Sequence, residues 1–214
     1  MIDATFVEIP RQRNTREENA LIKEGVTPEA WKEAPAAQNK LRQKDVEARW
    51  AKKNLENQYG YKNHINADQG HKRVQSYALT AASVHDSQVF EVLLDQSEDE
   101  SGHKRAIYAD SAYRSVEKQA MLGAMKIESP IGEKGSKKSP PLSEAQKGSN
   151  HVKSKVRSRV EHVFGAQAQM GGHLVRTIGL LRARVKIGMM NLVYTMLRLG
   201  QLIRRGSLVA SAAC

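Results

Sequence analysis

Cysteine is almost absent from this chain of 214 residues, since Cys214 at the carboxyl terminus is the only one. An internal disulfide framework is therefore impossible, which predicts a reducing, cytoplasmic setting. The first residues are no signal peptide, because Asp3 and Glu8 interrupt the apolar stretch that one requires. Long apolar runs are missing too: in the apolar carboxyl-terminal segment the longest charge-free run, 187–197, has eleven residues. A membrane-spanning helix needs about twenty, so we expect no membrane segment.

Acidic residues are scarce in the last third of the chain. Residues 1–50 carry nine basic and nine acidic side chains, residues 51–150 fourteen and thirteen, and residues 151–205 eleven and one. This last segment supplies most of the net charge of +11. A one-signed block of this length indicates a polyanion partner, here nucleic acid. A solvated charged face is the alternative. The single acid in the block is Glu161.

The length suits one domain, which we place at residues 1–205 with a tail at 206–214. A β-branched segment over 2–9, closed by Pro10, predicts the first strand. The polar residues 11–57 predict an insertion that contains a helix over 38–51.

Two strands, 59–66 and 71–82, are separated by turn residues and predict a hairpin. A helix over 83–96 follows, with Ser83 and Asp86 at the spacing of a capping box.

The next segments predict a strand over 104–110, a helix over 111–125 and a fifth strand over 126–131. Residues 132–150, rich in Gly, Ser, Lys and Pro, predict a flexible loop. Basic helices over 152–205 close the chain. This order predicts an α/β fold with a ribonuclease-H-like mixed β-sheet flanked by helices, and the polar helical insertion after the first strand.

The last helix carries an apolar stripe at steps of three and four, which predicts one long amphipathic helix. The stripe is interpreted as core, with a dimer seam as the alternative. Its members are Ile178, Leu181, Val185, Met189, Leu192, Met196, Leu199 and Ile203.

Three acids stand where this fold would bring them together. Asp3 lies on the first strand, Asp110 ends the fourth, and Glu161 lies on the helix after the fifth. If those strands are neighbours, the three carboxylates converge at one edge of the sheet. Such a cluster suits Mg²⁺ or Mn²⁺, which prefer oxygen ligands. Two ions about 4 Å apart would activate a water or a 3′-hydroxyl and stabilise the leaving oxygen.

Each acid also has a structural alternative. Asp3 could be an exposed strand end, and Asp110 could be the N-cap of the helix that follows. Glu161 comes four residues after Arg157, so the two could form a pair on the helix surface.

Other candidate residues are interpreted as structural. His85 and Asp86 are expected to cap a helix, and His64 is expected to serve the strand rather than bind a ligand. Trp31 and Trp50 are expected to pack, with a wedge against DNA bases as the alternative.

Five segments occur in the order found in bacterial insertion-sequence transposases of the DDE class: IDATFVEIP, GYKNHINAD, LTAASVHDS, IYADSAYRS and SRVEHVFG. Over residues 2 to about 200 the chain resembles the catalytic domain of the IS-five branch of the IS-four group. The resemblance implies catalytic and metal-binding roles for Asp3, for Asp110, and for Glu161 in its Arg-x-x-x-Glu turn with Arg157.

The chain departs from that pattern in three places. Ser154 and Ala168 replace a Tyr and a Lys of the broader signature. The family's amino-terminal region, which binds element ends, does not precede Asp3, so we expect a truncated product or a downstream reading frame. The segment between the fifth strand and Glu161 is too short for a large β-rich insertion, which leaves the route of second-strand cleavage open.

We therefore expect a DDE transposase that cuts element ends with water and then joins the freed 3′-hydroxyl to target DNA, using Mg²⁺ or Mn²⁺. Its partner would be double-stranded DNA at the bacterial nucleoid, with a homo-oligomer forming on the DNA. The alternatives are an inactive DNA-binding fragment and a related nuclease. Phosphate contacts are expected from Lys153, Lys155, Arg157 and Arg159.

Overall fold

A four-stranded antiparallel sheet is the framework of this computed structural model, which describes residues 1–32, 39, 41–53, 55–94, 106–133 and 142–206. The long third strand pairs with each of the other three. The strands are β1 (Ile2–Glu8), β2 (Arg49–Lys53), β3 (Glu56–Ala67) and β4 (Val74–Ala81).

Helices accompany the sheet, together with short 3₁₀ turns at Glu29–Trp31, Asp86–Val89, Ser111–Tyr113 and Ser158–Val160. The predicted first strand, hairpin and long last helix are all confirmed, as is the α/β class. The helices are α1 (Arg16–Lys23), α2 (Phe90–Leu93), α3 (Val116–Ala124), α4 (Glu144–Arg157), α5 (Glu161–Gln169) and α6 (Leu180–Arg204).

β1 lies tightly against the middle of β3. The register pairs Asp3 with Ile65 and Glu8 with Gly60. Gly60 has a φ of +146°, and a Cβ there would lie 2.3 Å from the Val7 carbonyl oxygen. Only glycine fits this crossing, which fixes the position of β1 and therefore of Asp3.

Two extended segments continue beyond β1. The Ile2 N–H donates to the Tyr108 carbonyl at 2.8 Å, and a parallel bridge joins Ala106 to Glu128. The predictions of regular strands at 104–110 and 126–131 are wrong for their described residues, which form this isolated bridge instead. The bond from Ile131 N–H to the Ser129 carbonyl, 2.7 Å, bends the second segment around a proline that has no N–H to pair.

The helix predicted over 38–51 is confirmed at residues 39 and 41–43 and wrong from residue 44 onward, where the chain turns and then forms strand β2, Arg49–Lys53. The Asp45 carboxylate accepts the N–H groups of Glu47 and Ala48, each at 3.0 Å. This local turn gives the backbone an alternative to helix. Residues 41–43 are helical, whereas 33–38 and 40 lie outside the described residues. The predicted insertion thus contributes a strand to the sheet.

Helix α4 begins within the segment predicted to be a flexible loop. Ser143 and Gln146 form a reciprocal capping box at its amino terminus, which stabilises the first turn. The loop prediction is therefore wrong for residues 144–150, and residues 134–141 lie outside the description. Asn150 ties the helix to Glu133 through two bonds, at 2.8 and 2.9 Å.

Helix α6 packs on β4 along one side only. A Cβ at Gly188 would lie 2.2 Å from the Tyr77 hydroxyl, so glycine permits this close approach. The core prediction for the apolar stripe is wrong for the seven members from Leu181 to Ile203, which are 40 to 71% exposed. No helix in the described part of the chain is long and apolar enough to cross a membrane.

Candidate active site

Asp3 is held on β1 by two different contacts. Its Oδ1 accepts the Ala4 N–H at 2.9 Å, and its Oδ2 accepts Nη1 of Arg157 from the end of α4. The Asp3 side chain is 16% exposed and that of Arg157 is 24% exposed. The Asp3 carboxylate is thus largely desolvated, with a single cation beside it.

The pKa of Asp3 is affected by the charged side chains that lie near it. Burial raises the pKa of Asp3 above its ordinary value, while Arg157 and the Ala4 N–H act in the opposite direction. The negative charges of Glu161 and Asp110 raise the pKa further. Glu161 and Asp110 therefore each lie within electrostatic reach of Asp3, although the three acids are far apart in sequence.

Asp110 caps the 3₁₀ turn that follows it. Its Oδ1 accepts the Ser111 N–H at 2.6 Å and the Ser111 hydroxyl at 3.3 Å, and its side chain is exposed. The N-cap alternative is confirmed, and it coexists with proximity to Asp3. Both Ser111 bonds go to Oδ1 of Asp110. Within the described chain, no residue bonds to its Oδ2.

Glu161 opens α5 and is exposed. Arg157 bonds to Asp3 rather than to Glu161. The alternative of a surface ion pair between Arg157 and Glu161 is therefore wrong. Glu161 lies at the wall of an open pocket of about 580 Å³ beside β1. The pocket is lined by Ala4, Thr5, Phe6, Glu8, Lys53, Gln58, Glu161, Phe164 and His173.

As the side chains stand, no three His, Cys, Asp or Glu in the described ranges are grouped closely enough to hold a metal ion. One buried polar atom nearby lacks a partner: within the described chain the Tyr113 hydroxyl makes no hydrogen bond. Burial raises the pKa of Tyr113, and the charges of Asp86, Asp3 and Asp110 add to this. The site is thus polar and carries excess negative charge.

The four cations predicted to bind DNA differ in their contacts. Lys155 and Arg159 are exposed, and Arg159 reaches the Gln69 carbonyl at 3.5 Å. Lys153 is half-buried and reaches the Ile131 carbonyl at 3.5 Å. Arg157 is turned to Asp3. Lys155 and Arg159 are therefore the two best placed to meet a phosphate.

Sequence reasoning missed the part of the pocket that the sheet builds. The Lys53 ammonium lies 5.8 Å from the centre of the Phe6 ring, and the Lys62 ammonium lies 5.3 Å from it. Lys62 also pairs with Asp86 at 2.9 Å. The sequence signal was the Lys52–Lys53 pair, but only the pairing of β2 with β3 brings it near β1.

The structural interpretations of the two histidines are confirmed. His64 is buried and bonds to the Thr80 hydroxyl at 2.9 Å, and burial lowers its pKa to about 4. His85 caps the turn before α2 by accepting the Ser87 N–H at 3.3 Å. Capping by Ser83 is wrong, since His85 takes that position, and Asp86 instead binds Lys62.

The two tryptophans differ in exposure, which bears on whether they pack or act as a wedge against DNA bases. Trp31 is fully buried, and its indole N–H donates to Glu18 at 2.7 Å, which confirms packing. Trp50 is 46% exposed and stacks on Tyr59 with the ring centres 4.9 Å apart. The Arg11 guanidinium also lies 5.6 Å from the centre of the Trp50 ring, and the partial exposure of Trp50 leaves its interpretation as a base wedge open.

Comparison with known proteins identifies a family for this chain. The family described as "Transposase DDE domain" matches residues 1–196, a span that contains all three carboxylates and most of α6. No curated protein and no solved structure matches the chain.

Proposed function

Because the chain belongs to the transposase DDE domain family, we propose that Asp3, Asp110 and Glu161 form its active site. The family acts in the DNA cleavage and transfer of transposition. The specific chemistry proposed here is metal-dependent cleavage of element ends, followed by attack of the freed 3′-hydroxyl on double-stranded target DNA. The observation that carries the proposal is the electrostatic effect of both Asp110 and Glu161 on Asp3.

Two finer assignments belong with this proposal. The ribonuclease-H-like arrangement is supported by the order β4, β3, β1, then the segments at 106–109 and 127–131, with the last two running parallel to each other. Membership of the IS-five branch is supported by the segments around Asp3, Asp110 and Glu161. A homo-oligomer on DNA remains part of the same proposal.

The donor chemistry fits a hard divalent cation. Asp3 has the charges of two further carboxylates and of one guanidinium within reach, and the Tyr113 hydroxyl nearby is unbonded within the described chain. Oxygen donors in excess negative charge suit Mg²⁺ or Mn²⁺. Held by Asp3, Asp110 and Glu161, one or two such ions would activate the attacking oxygen and stabilise the leaving oxygen.

The chain's own residues prepare the site in three ways. The Ala4 N–H fixes the orientation of Asp3, and Arg157 favours its ionised form despite burial. The Ser111 contacts hold one oxygen of Asp110 and leave the other for a ligand. Lys155 and Arg159 are exposed near this edge and would bind the DNA backbone without reading its sequence.

Cleavage of a labelled duplex that carries the flanking terminal repeats tests the proposal. With Mg²⁺ or Mn²⁺ present, we expect cleaved and joined products from the natural chain and none from Glu161→Gln. Glu144→Gln is the matched control, because this exposed acid only pairs with Lys147 on the surface of α4. Asp110→Asn is a second test, since Asn keeps the N-cap while removing the charge.

A second candidate function is DNA binding without cleavage, by an inactive fragment. It is favoured by Arg157, which occupies Asp3 Oδ2, and by the lack of a close metal-binding group among the described side chains. Gel-shift measurements on the same duplex separate the two functions. Binding without product from the natural chain would support the fragment, whereas product that disappears in Glu161→Gln would support catalysis.

A further inference from the structure

Helix α6 exposes a continuous apolar stripe to solvent. At the two ends Leu181 is 71% exposed and Ile203 is 58% exposed, and in the middle Met189 and Met196 are each 63% exposed. Single exposed apolar residues are ordinary, but a contiguous apolar surface marks an interaction site. The stripe consists of Leu181, Val185, Met189, Leu192, Met196, Leu199 and Ile203.

The opposite side of the same helix is already in the core. Ala183, Ile187, Met190, Tyr194 and Leu202 are all buried. Between residues 187 and 197 the helix has no charged residue on any side. A helix that is apolar all round is normally buried all round, so the exposed stripe requires a cover.

The spacing of the stripe indicates what kind of cover fits. From Val185 to Ile203 the steps are four, three, four, three and four, which is the seven-residue repeat of a coiled-coil seam. Met189, Met196 and Ile203 take one core position of the repeat, and Val185, Leu192 and Leu199 take the other. We propose that this stripe pairs with the same stripe of a second copy of the chain.

The charges beside the stripe select a second copy over other occupants. The flanking positions of the repeat are Lys186, Gly188, Val193, Thr195, Gly200 and Leu202, so they carry a single charge. An acidic partner helix would find two cations close to the stripe, Arg182 and Lys186, and an anionic lipid surface is bound by helices with many basic flanking residues. With so little charge at these positions, repulsion between two copies is small.

A hollow next to the stripe offers a place for a partner's side chain. It has a volume of about 470 Å³ and lies between α6 and the end of α5. The side chains of coiled-coil pairs insert into such hollows of the facing helix. Its lining is Met170, Thr177, Arg182, Val185, Lys186, Met189, Met190 and Val193.

The exposed area is also of the right size. With Val193 and Leu197 at the margin of the stripe, the exposed fractions equal about five whole side chains, or roughly 500 Å² at about 100 Å² each. A standard interface buries about 800 Å² on each partner, and about 65% of a homodimer interface is apolar. The stripe supplies nearly all of that apolar share.

Sedimentation velocity of the whole chain, without DNA or metal, tests the proposal. We expect a dimer for the natural chain and a monomer for Leu192→Glu. Val116→Glu, at an 84% exposed position on α3, is the control and should remain a dimer. A monomeric natural chain, or a Leu192→Glu chain that still dimerises, would overturn the proposal. Circular dichroism checks that both variants are folded.

Cross-linking locates the interface independently of stability. In a Cys214→Ser background, we expect Leu192→Cys to form a disulfide-linked dimer on mild oxidation and Val116→Cys to form no disulfide between copies. Equal cross-linking of both would overturn the proposal. So would a monomeric chain that binds anionic vesicles through this face and loses that binding in Leu192→Glu. Since no cleavage is measured, the result does not depend on the proposed catalysis.

Discussion

Two aspartates shielded from solvent, the half-buried Asp3 and the fully buried Asp45, have their charges balanced in opposite ways. Asp45 is 1% exposed and accepts four hydrogen bonds: two from its own turn, one from the Tyr61 hydroxyl at 2.6 Å and one from the Gly179 N–H at 2.9 Å. Asp3 accepts one backbone N–H and one guanidinium. Asp45 thus joins β2, β3 and the start of α6, whereas Asp3 has two further acids within electrostatic reach.

The difference supports a structural role for Asp45 and the catalytic role that we propose for Asp3. Every bond to Asp45 comes from a neutral donor fixed by the fold, so nothing is left to exchange for a ligand. At Asp3 the main partner is a long, partly exposed side chain from another helix, and the nearby charges of Glu161 and Asp110 are unfavourable without added positive charge. Shielding from solvent alone therefore does not distinguish the two roles. The hydrogen-bond partners of each carboxylate do distinguish them.

Asp3→Asn is expected to have the largest effect, and on catalysis alone. Removing one carboxylate of the site should lower strand cleavage by about 10³-fold or more, because charge stabilisation at such sites is worth several kcal/mol. The free energy of unfolding should change by only about 1 kcal/mol, because Arg157 loses its partner but its partly exposed guanidinium can turn to solvent. Cleavage assays and urea unfolding measure the two quantities. A large loss of stability would make Asp3 a structural residue like Asp45.

Asp45→Asn is expected to show the reverse behaviour. An amide cannot accept all four bonds, so buried donors lose their partner and unfolding should become easier by about 2–4 kcal/mol. Cleavage per folded molecule should stay close to that of the natural chain. Glu29→Gln is the control, because its exposed pair with Lys32 should contribute under about 1 kcal/mol. If Asp45→Asn were stable but inactive, the contrast with Asp3 would be wrong.

His64 extends the contrast to a buried base on β3. Burial lowers its pKa from 6.5 to about 4, so between these values the unfolded chain binds more protons than the folded one. The free energy of unfolding should therefore fall as the pH decreases from about 6.5 to about 4, by up to about 3 kcal/mol. Urea unfolding at several pH values should show this slope in the natural chain and lose most of it in His64→Gln. His151→Gln, at an exposed position on α4, should keep it.

The sequence predicted the elements whose signal is local. The first strand, the hairpin and α6 follow from alternation or from steps of three and four. The helix predicted over 38–51 is wrong beyond residue 43, because the Asp45 side chain bonds to the backbone and turns it. The loop predicted over 132–150 is wrong for residues 144–150, because Ser143 caps a helix that begins there. The stripe on α6 was predicted correctly as a pattern and wrongly as core, since periodicity shows that a face is apolar but not what covers it.

The acids of the proposed site could be named from their places on the predicted first strand, fourth strand and closing helix, and from the family resemblance. The contact that could not be named is that of Arg157 with Asp3. A helix spacing of four favours Glu161 as its partner, and only the packing of α4 against the start of β1 brings Asp3 within reach. The Tyr113 hydroxyl and the Phe6 side of the pocket likewise depend on tertiary contacts.

Lys155→Ala should have the smallest effect, and on binding alone. Lys155 is exposed in the last turn of α4, so we expect it to contribute a phosphate contact and to orient no catalytic group. The affinity for duplex DNA should fall severalfold for all sequences alike, and the slope of log affinity against log salt should become shallower by about 0.9. Fluorescence anisotropy at several salt concentrations measures both, with the exposed Lys23→Ala on α1 as control. An unchanged salt slope in Lys155→Ala would mean that the DNA passes elsewhere, and that the basic helix is only a solvated face.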